Sequence, residues 1–397
     1  IIDANVTHIL TGAILFTFGT GLIKGFALTL LIGIVTSLFT SIFIARIFID
    51  KNIATSSNLT FSTSITKNWF TNFHFDFIKI KKFTYIFSSI VVIVSLVSIF
   101  FVNGLDQGVD FVGGRTFQVK FEKPIDATKV AEELSKEFGT TVEAKIFGSD
   151  DQLKITTKYK ITEEGVDVDK EVNEKLYKGL QHYYTNSSYE KFINSYDGKT
   201  VGVLQASKVG ASISEDIKTN SYWAVLGAMA VIFLYLMISF RKWQYSLGAI
   251  AAVAHDVIFV LGIYSLCYKF MPFHMEMDQH FIAAILTVIG YSMNDTVIVF
   301  DRIREFIMGK RKGSFEEIVN ASINTTLSRT LNTSLMMIIV LLTMFIFGGE
   351  SIRGFIFAML VGIVVGTYSS LFIATPVLVD TISRSDKNQI EKEHKEA

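Results

Sequence analysis

Eight stretches of this chain are apolar over about 20 residues each, the length a helix needs to cross the hydrocarbon core of a bilayer. They lie at roughly 3–19, 26–48, 83–102, 221–240, 246–268, 280–300, 329–347 and 353–380. Hydrocarbon offers no water to backbone N–H and C=O groups, so segments of this kind must satisfy them internally, as helices. The first and seventh stretches are polar at one end. Bulk composition agrees with eight spans. Half of the 397 residues are hydrophobic, 35 of them Phe, which is too apolar for one soluble core. An even number of spans puts both ends of the chain on the same side.

The short loops orient the bundle. Lys79, Lys81 and Lys82 precede the third span, Arg241 and Lys242 join the fourth to the fifth, and Arg302, Arg304, Lys310, Arg311 and Lys312 join the sixth to the seventh. All lie on the face that holds the termini. The opposite loops carry only Lys24, Lys269 and Arg353, beside Glu276, Asp278 and Glu350. The excess of Lys and Arg predicts cytoplasmic termini.

Residues 103–219 then fall outside the membrane as one polar domain. Gly108 to Phe121 alternates like a strand, and Ala127 to Phe138 reads as an amphipathic helix. Val142 to Phe147 and Gln152 to Tyr159 read as strands and Lys170 to Tyr183 as a second helix, with a last strand near Thr200 to Ala206. The order βαββα suits a ferredoxin-like α+β sandwich. The expected fold is therefore an integral membrane α-helical bundle of about eight transmembrane helices with one extracytoplasmic ferredoxin-like domain. Residues 51–78 are rich in Ser, Thr and Asn and read as a linker between two membrane halves.

An internal repeat supports two halves. Lys24-Gly25-Phe26 through Ala45 matches Arg353-Gly354-Phe355 through Ala374 without a gap, with Gly33 on Gly362 and Phe43-Ile44-Ala45 on Phe372-Ile373-Ala374. Both copies run in the same direction, which implies a parallel repeat about an axis normal to the membrane. Only the tail of the first half is present, and the chain begins at Ile1 without Met, so it reads as the C-terminal part of something longer.

Several chemistries are set aside by composition. Basic and acidic residues balance at 37 each, so net charge points to no nucleic acid. Cys267 is the single cysteine, which leaves no disulfide and no zinc site. No Walker A sequence occurs. Gly108-Val109-Asp110-Phe111-Val112-Gly113-Gly114 has no Lys-Ser/Thr after it and reads as a tight turn into the outer domain, not a phosphate loop.

Asp295 is the residue that points to function. It sits in the sixth span between Phe281–Val288 and Val297–Phe300, where a carboxylate costs roughly 2.5–3.5 kcal/mol on insertion scales. A carboxylate kept there usually faces a protein interior or a wet cavity beside a cation. The seventh span opens with Ser328-Arg329-Thr330-Leu331-Asn332-Thr333-Ser334, which supplies Arg329 as a candidate counter-ion at matching depth. Arg329 and Thr333 are four apart and share a helix face. The plain alternatives are a structural carboxylate held by helix amides or Asn294, and an Arg329 that snorkels to headgroups. His255-Asp256 interrupts the fifth span. With Asn294 and Asn332 it forms a candidate second polar relay, against a purely structural contact between helices. Asp301, Arg302, Arg304 and Glu305 read as an ordinary charged interface, and Gly362 with Gly366 as a close-packing GxxxG pair.

The stretch from Gly290 to Glu305, GYSMNDTVIVFDRIRE, resembles the signature of the SecD/SecF protein-export family on its SecF side. So do Gly108 to Gly114, Ala254-His255-Asp256-Val257, Ser328-Arg329-Thr330 and Gly362 to Ser370. Ile2-Asp3-Ala4-Asn5-Val6-Thr7 and Lys24-Gly25-Phe26-Ala27 resemble the end of SecD. One departure is Ala211, where the family commonly has Pro. The resemblance implies residues 1–50 as the last two transmembrane helices of a SecD half, 51–82 as a cytoplasmic linker and 83–102 as the first SecF helix. It implies 103–219 as the extracytoplasmic domain, 220–380 as the remaining five-helix bundle and 381–397 as a cytoplasmic tail. It further implies a multi-pass protein of the bacterial cytoplasmic membrane, in the resistance-nodulation-division superfamily. Such a protein is not an enzyme; it uses protons as the coupling ion, with no other cofactor and no metal, to assist preprotein export. Its partners would be the SecYEG channel, SecA, YajC, YidC, the preprotein and the remainder of the SecD half. The family's proton path maps onto Asp295, Arg329 and Thr333. Two rival readings are a proton-coupled small-molecule exporter of the same superfamily and a passive channel scaffold.

Overall fold

The computed structural model describes residues 2–19, 21–54, 74–163, 165–185, 188–195 and 201–395. Most of the expected linker, residues 55–73, and Thr200 of the last expected strand lie outside them. Among the described residues seven helices are long and apolar enough to cross a membrane, and α1 (Ile2–Phe18), at the first expected span, is a shorter apolar helix. The seven are α2 (21–54), α3 (Lys81–Val102), α6 (Ala211–Phe240), α7 (Trp243–Cys267), α8 (Gln279–Met308), α9 (Phe315–Phe347) and α10 (350–381). A terminal α11 (Arg384–Lys395) follows.

Burial ranks these helices. α8 is enclosed almost along its whole length, packed against α1, α7, α9 and α10. α2 and α3 instead turn Ile32, Phe39, Phe43, Ile86, Ile90 and Phe101 outward. In water that would be a large apolar patch; in a bilayer it is the lipid-facing side. α2 and α10, the two repeat copies, each contain a π turn, at Thr40–Ile44 and Ser370–Ala374, one residue out of register.

α9 starts well before the expected position 329. Ser314 and Glu317 form a reciprocal capping box, and Phe315, Ile318, Val319, Ser322, Ile323 and Thr326 make a buried stripe. The Ser, Thr and Asn between them lower the hydropathy and hide this stretch from a search for apolar runs. α6 likewise begins three turns early. Strand β4 (Gly202–Val209) runs into it through Gly210 alone, so the link carrying the Ala211 departure has one residue outside regular structure.

The polar domain is a four-stranded antiparallel sheet, β1 (Gly114–Lys120), β2 (Val142–Phe147), β3 (Ser149–Thr157) and β4, in the order β2-β3-β1-β4. Helices α4 (Ala127–Phe138) and α5 (Val166–Leu180) pack on it through Val130, Leu134, Val172 and Leu176 against Phe117, Val119, Leu153 and Ile155. This is the ferredoxin-like arrangement. The first strand is shorter than expected, because Val109–Val112 is a helical turn that ends at Gly113 and Gly114.

The GxxxG pair sets how closely α8 and α10 approach. A Cβ on Gly362 would stand 2.2 Å from Val288 Cγ2, and one on Gly366 2.9 Å from Ser292 Cβ. The repeat counterpart Gly33 meets nothing within 4 Å. We expect Gly362→Ala to destabilise the protein by about 1–3 kcal/mol through overpacking. Gly33→Ala should be neutral or stabilising by about 0.5–1 kcal/mol, as helix propensity dictates. Thermal unfolding of the two variants in detergent checks the contrast.

Candidate functional site

Helix phase decides what faces Asp295. α8 buries it to 6% exposure, and its Oδ2 accepts a hydrogen bond from Ser334 Oγ on α9 at 3.3 Å. Ser334 Oγ lies 2.7 Å from Thr367 Oγ1 on α10, which in turn reaches the Ile363 carbonyl at 2.9 Å. Three helices thus meet at one carboxyl through two hydroxyls. They enclose a cavity of about 170 Å³ whose wall includes Asn294, Asp295, Thr333, Ser334 and Thr367. At ~30 Å³ per water, it has room for several waters beside the Asp295 carboxyl, within a mainly apolar wall.

The expected Asp295–Arg329 contact is not formed. Among the described residues no cation lies within 4.0 Å of the Asp295 carboxyl, and Arg329 is exposed. The reason is geometric. Ser334 is the α9 residue turned toward Asp295, and Arg329, five positions earlier, points about 140° away around the helix. Thr333 borders the cavity, but its hydroxyl is directed to its own backbone, at the Arg329 and Thr330 carbonyls. Asn332 is exposed and lines a neighbouring apolar groove of about 570 Å³. Of the seven candidate residues, Asp295, Asn294 and Thr333 share one cavity, while Arg329 and Asn332 do not enter it.

His255 and Asp256 form a second centre. Asp256 is 1% exposed, and its Oδ2 accepts from Ser292 Oγ at 2.6 Å and Ser369 Oγ at 2.7 Å, with His255 Nδ1 3.2 Å from Oδ1. Ser370 adds a bond to the Ser292 carbonyl at 3.1 Å and contacts Thr296 Oγ1 at 2.8 Å. These contacts tie α7, α8 and α10 together. Ser292 also borders the Asp295 cavity, so the two centres share a wall. Ser292, Ser334, Thr367 and Ser369 were not among the sequence candidates. A helix hydroxyl usually bonds its own backbone, and only the partner helix reveals which ones turn outward.

At the other end of α8, Arg304 pairs with Asp301 at 2.6 Å and Arg302 with Glu305 at 2.7 Å, both partly exposed, as an ordinary charged interface would be. No group of three or more His, Cys, Asp or Glu with metal-binding spacing occurs among the described residues.

Comparison with known proteins bears on these motifs. Residues 188–384 match the family described as protein export membrane protein SecD/SecF, C-terminal, and residues 98–125 match the SecD/SecF GG motif. The chain is 42% identical to protein translocase subunit SecF of Rhodothermus marinus over 316 residues, 80% of this chain and 96% of that one. The chain belongs to the SecD/SecF family. It is also 34% identical to protein translocase subunit SecDF of Brucella abortus, covering 96% of this chain and 47% of the relative. A crystal structure of SecDF, a translocon-associated membrane protein, from Thermus thermophilus superposes with a TM-score of 0.78 at 29% identity. That match covers 96% of this chain and 48% of the other, so the chain spans about half the length of the SecDF relatives. It is a multi-pass membrane protein with the carboxyl-terminal SecD/SecF architecture.

The SecD/SecF GG motif has a steric basis here. Gly113 has φ +70° and Gly114 φ +150°, and a Cβ on Gly113 would stand 2.6 Å from Ile161 Cδ1. Both backbone angles are ones that side-chain-bearing residues rarely adopt, so the backbone calls for glycine at both positions. Asp110 of the same motif accepts from the Gln279 backbone N–H at 3.1 Å, at the first residue of α8.

The Asp256 centre predicts a stability pattern. Ser292→Ala and Ser369→Ala should each cost about 1–3 kcal/mol, the range for a lost hydrogen bond to a carboxyl group. The double variant should cost more than the sum, because His255 alone would then satisfy the carboxyl. Thermal unfolding in detergent, run as a double-mutant cycle, measures this.

Proposed function

We propose that this protein is a proton-driven accessory subunit of Sec protein translocation, with Asp295 as the proton-binding station. The observation that carries the reading is a buried carboxyl on the central helix, beside a small cavity, in a chain of the SecD/SecF family. The orientation from the positive loops places both termini in the cytoplasm and the sheet domain on the far side, where an exported chain emerges. SecYEG, SecA and the preprotein are the partners this reading requires.

The hydroxyl chain suggests how protonation becomes movement. A hydroxyl has one proton to donate. With Asp295 ionised, Ser334 donates to the carboxylate and must accept from Thr367, which releases the Ile363 carbonyl. With Asp295 protonated, the acid donates to Ser334, Ser334 donates to Thr367, and Thr367 donates to Ile363. An ionised Asp295 would draw the Arg329 guanidinium toward the cavity, past Thr333, and shift α9 against α8 and α10. One proton crossing the membrane supplies about 2.3 kcal/mol per 100 mV, enough to bias a two-state equilibrium more than tenfold.

Asp295→Asn keeps the shape and hydrogen-bonding capacity but cannot exchange a proton. We expect preprotein export by the full-length protein in vesicles to lose its dependence on an imposed proton gradient. Stability should change by less than about 1 kcal/mol, since no ion pair within 4.0 Å is removed. Export by the variant equal to that of the parent, at matched protein amounts, would make Asp295 structural.

A further inference from the structure

The outer end of α8 is fastened to the sheet domain by a charged network that the proton site does not use. Lys145 on β2 and Lys154 on β3 stand directly opposite one another in the antiparallel register. Like charges in that position repel. Glu276, in the loop that leads into α8, lies between them, with Lys154 Nζ 2.6 Å from Oε2 and Lys145 Nζ 3.6 Å from Oε1. Lys145 also reaches Asp106 at 2.7 Å. The Glu276 side chain is 12% exposed and that of Lys154 18%. Burial pushes the Glu276 carboxyl up, yet Lys154 and Lys145 outweigh it and hold it below the usual glutamate value.

Backbone contacts run beside these charges. Met277 N–H donates to the Asp106 carbonyl at 2.6 Å, and Gly108 N–H donates to the Met277 carbonyl at 2.9 Å. His274 Nε2 donates to the Ile146 carbonyl at 2.6 Å, and its ring stacks on Phe147. The β2–β3 hairpin, the GG-motif segment and the α8 entry loop therefore form one joint. Its interior is charged where an ordinary domain contact would be apolar.

We propose that Glu276, with Lys145 and Lys154, is a positioning clasp that passes displacement of α8 to the sheet domain. The inference rests on the reading of Asp295 as the proton station. The β2–β3 register sets two lysines opposite each other; Lys145 has Asp106 besides Glu276, whereas Lys154 pairs with Glu276, so the hairpin is held where Glu276 is. Glu276 is two residues from Asp278, the N-cap of α8, and follows any axial or rocking shift of that helix. Removing its charge leaves the two half-buried lysines facing each other with Asp106 as the remaining carboxylate, which loosens the hairpin from the loop.

The test separates proton movement from export. Full-length parent, Glu276→Gln, Lys154→Glu, the swap Glu276→Lys with Lys154→Glu, and Asp295→Asn are reconstituted in vesicles. Proton flux and gradient-driven preprotein export are measured on each. Glu276→Gln and Lys154→Glu should lower export about tenfold, a typical coupling free energy, with proton flux within about twofold of the parent. The swap restores opposite charges at positions 276 and 154 and sets a carboxylate across from Lys145, and it should recover export. Undiminished export in both single variants would overturn the clasp. So would proton flux falling together with export, or a swap that folds and does not recover. Asp295→Asn should lose both readouts; if it keeps both, the proton-station reading fails, whatever the Glu276 variants do.

Discussion

A carboxyl group inside a lipid-embedded bundle must be enclosed by protein, and that single requirement organises this molecule. Hydrocarbon cannot solvate it, so α8 has to be surrounded on every side. Gly362 and Gly366 let α10 come close enough to do so, and Gly262 lets α7 close on Ser95 of α3. The resulting contact is so tight that hydroxyls on α9 and α10 reach the Asp295 and Asp256 carboxyls directly. Small residues and buried acids are two parts of one arrangement. The glycines bring the backbones together, and the hydroxyls satisfy what the glycines enclose.

The two acids differ in a way that separates fastening from switching. Asp256 has two serine donors and His255, and it locks three helices. Asp295 has one long hydrogen bond and an adjoining space. A group that must gain and lose a proton needs a neighbour that can change role and a route for water. The Asp295 site has the hydroxyl pair Ser334–Thr367 and a space that can hold water beside it. The shared wall at Ser292 means that a change around Asp295 is felt by the fastened helices. The joint at Glu276 then lies at the far end of the same rigid helix.

Much of this was legible in the sequence. Span lengths and the strand-helix order announced the seven long apolar helices, with a shorter first one, and the ferredoxin-like sheet, because apolar length and alternation are local properties. Asp295 was legible for the same reason, as a charge in an apolar run. The partners were not. Arg329 matched Asp295 in depth and charge, but depth along a helix says nothing of phase, and Ser334 holds the facing position. The start of α9 at Phe315 was hidden because its buried stripe is diluted by Ser, Thr and Asn. Asp256 was legible with His255 as a polar break and candidate relay in its span, but its hydroxyl donors come from Ser292 and Ser369 on other helices. The Lys145–Lys154 pair needed strand register, which fixes the two lysines opposite one another only once the β2–β3 turn is known.

The central claim is that the Asp295 carboxyl takes up and releases a proton in the membrane. Infrared difference spectroscopy of the full-length protein in lipid, recorded as pH is stepped, observes that event directly. The account predicts a carboxylic-acid carbonyl band that appears on acidification, shifts in heavy water and is missing in Asp295→Asn. A spectrum in which that band is unchanged by Asp295→Asn would contradict it.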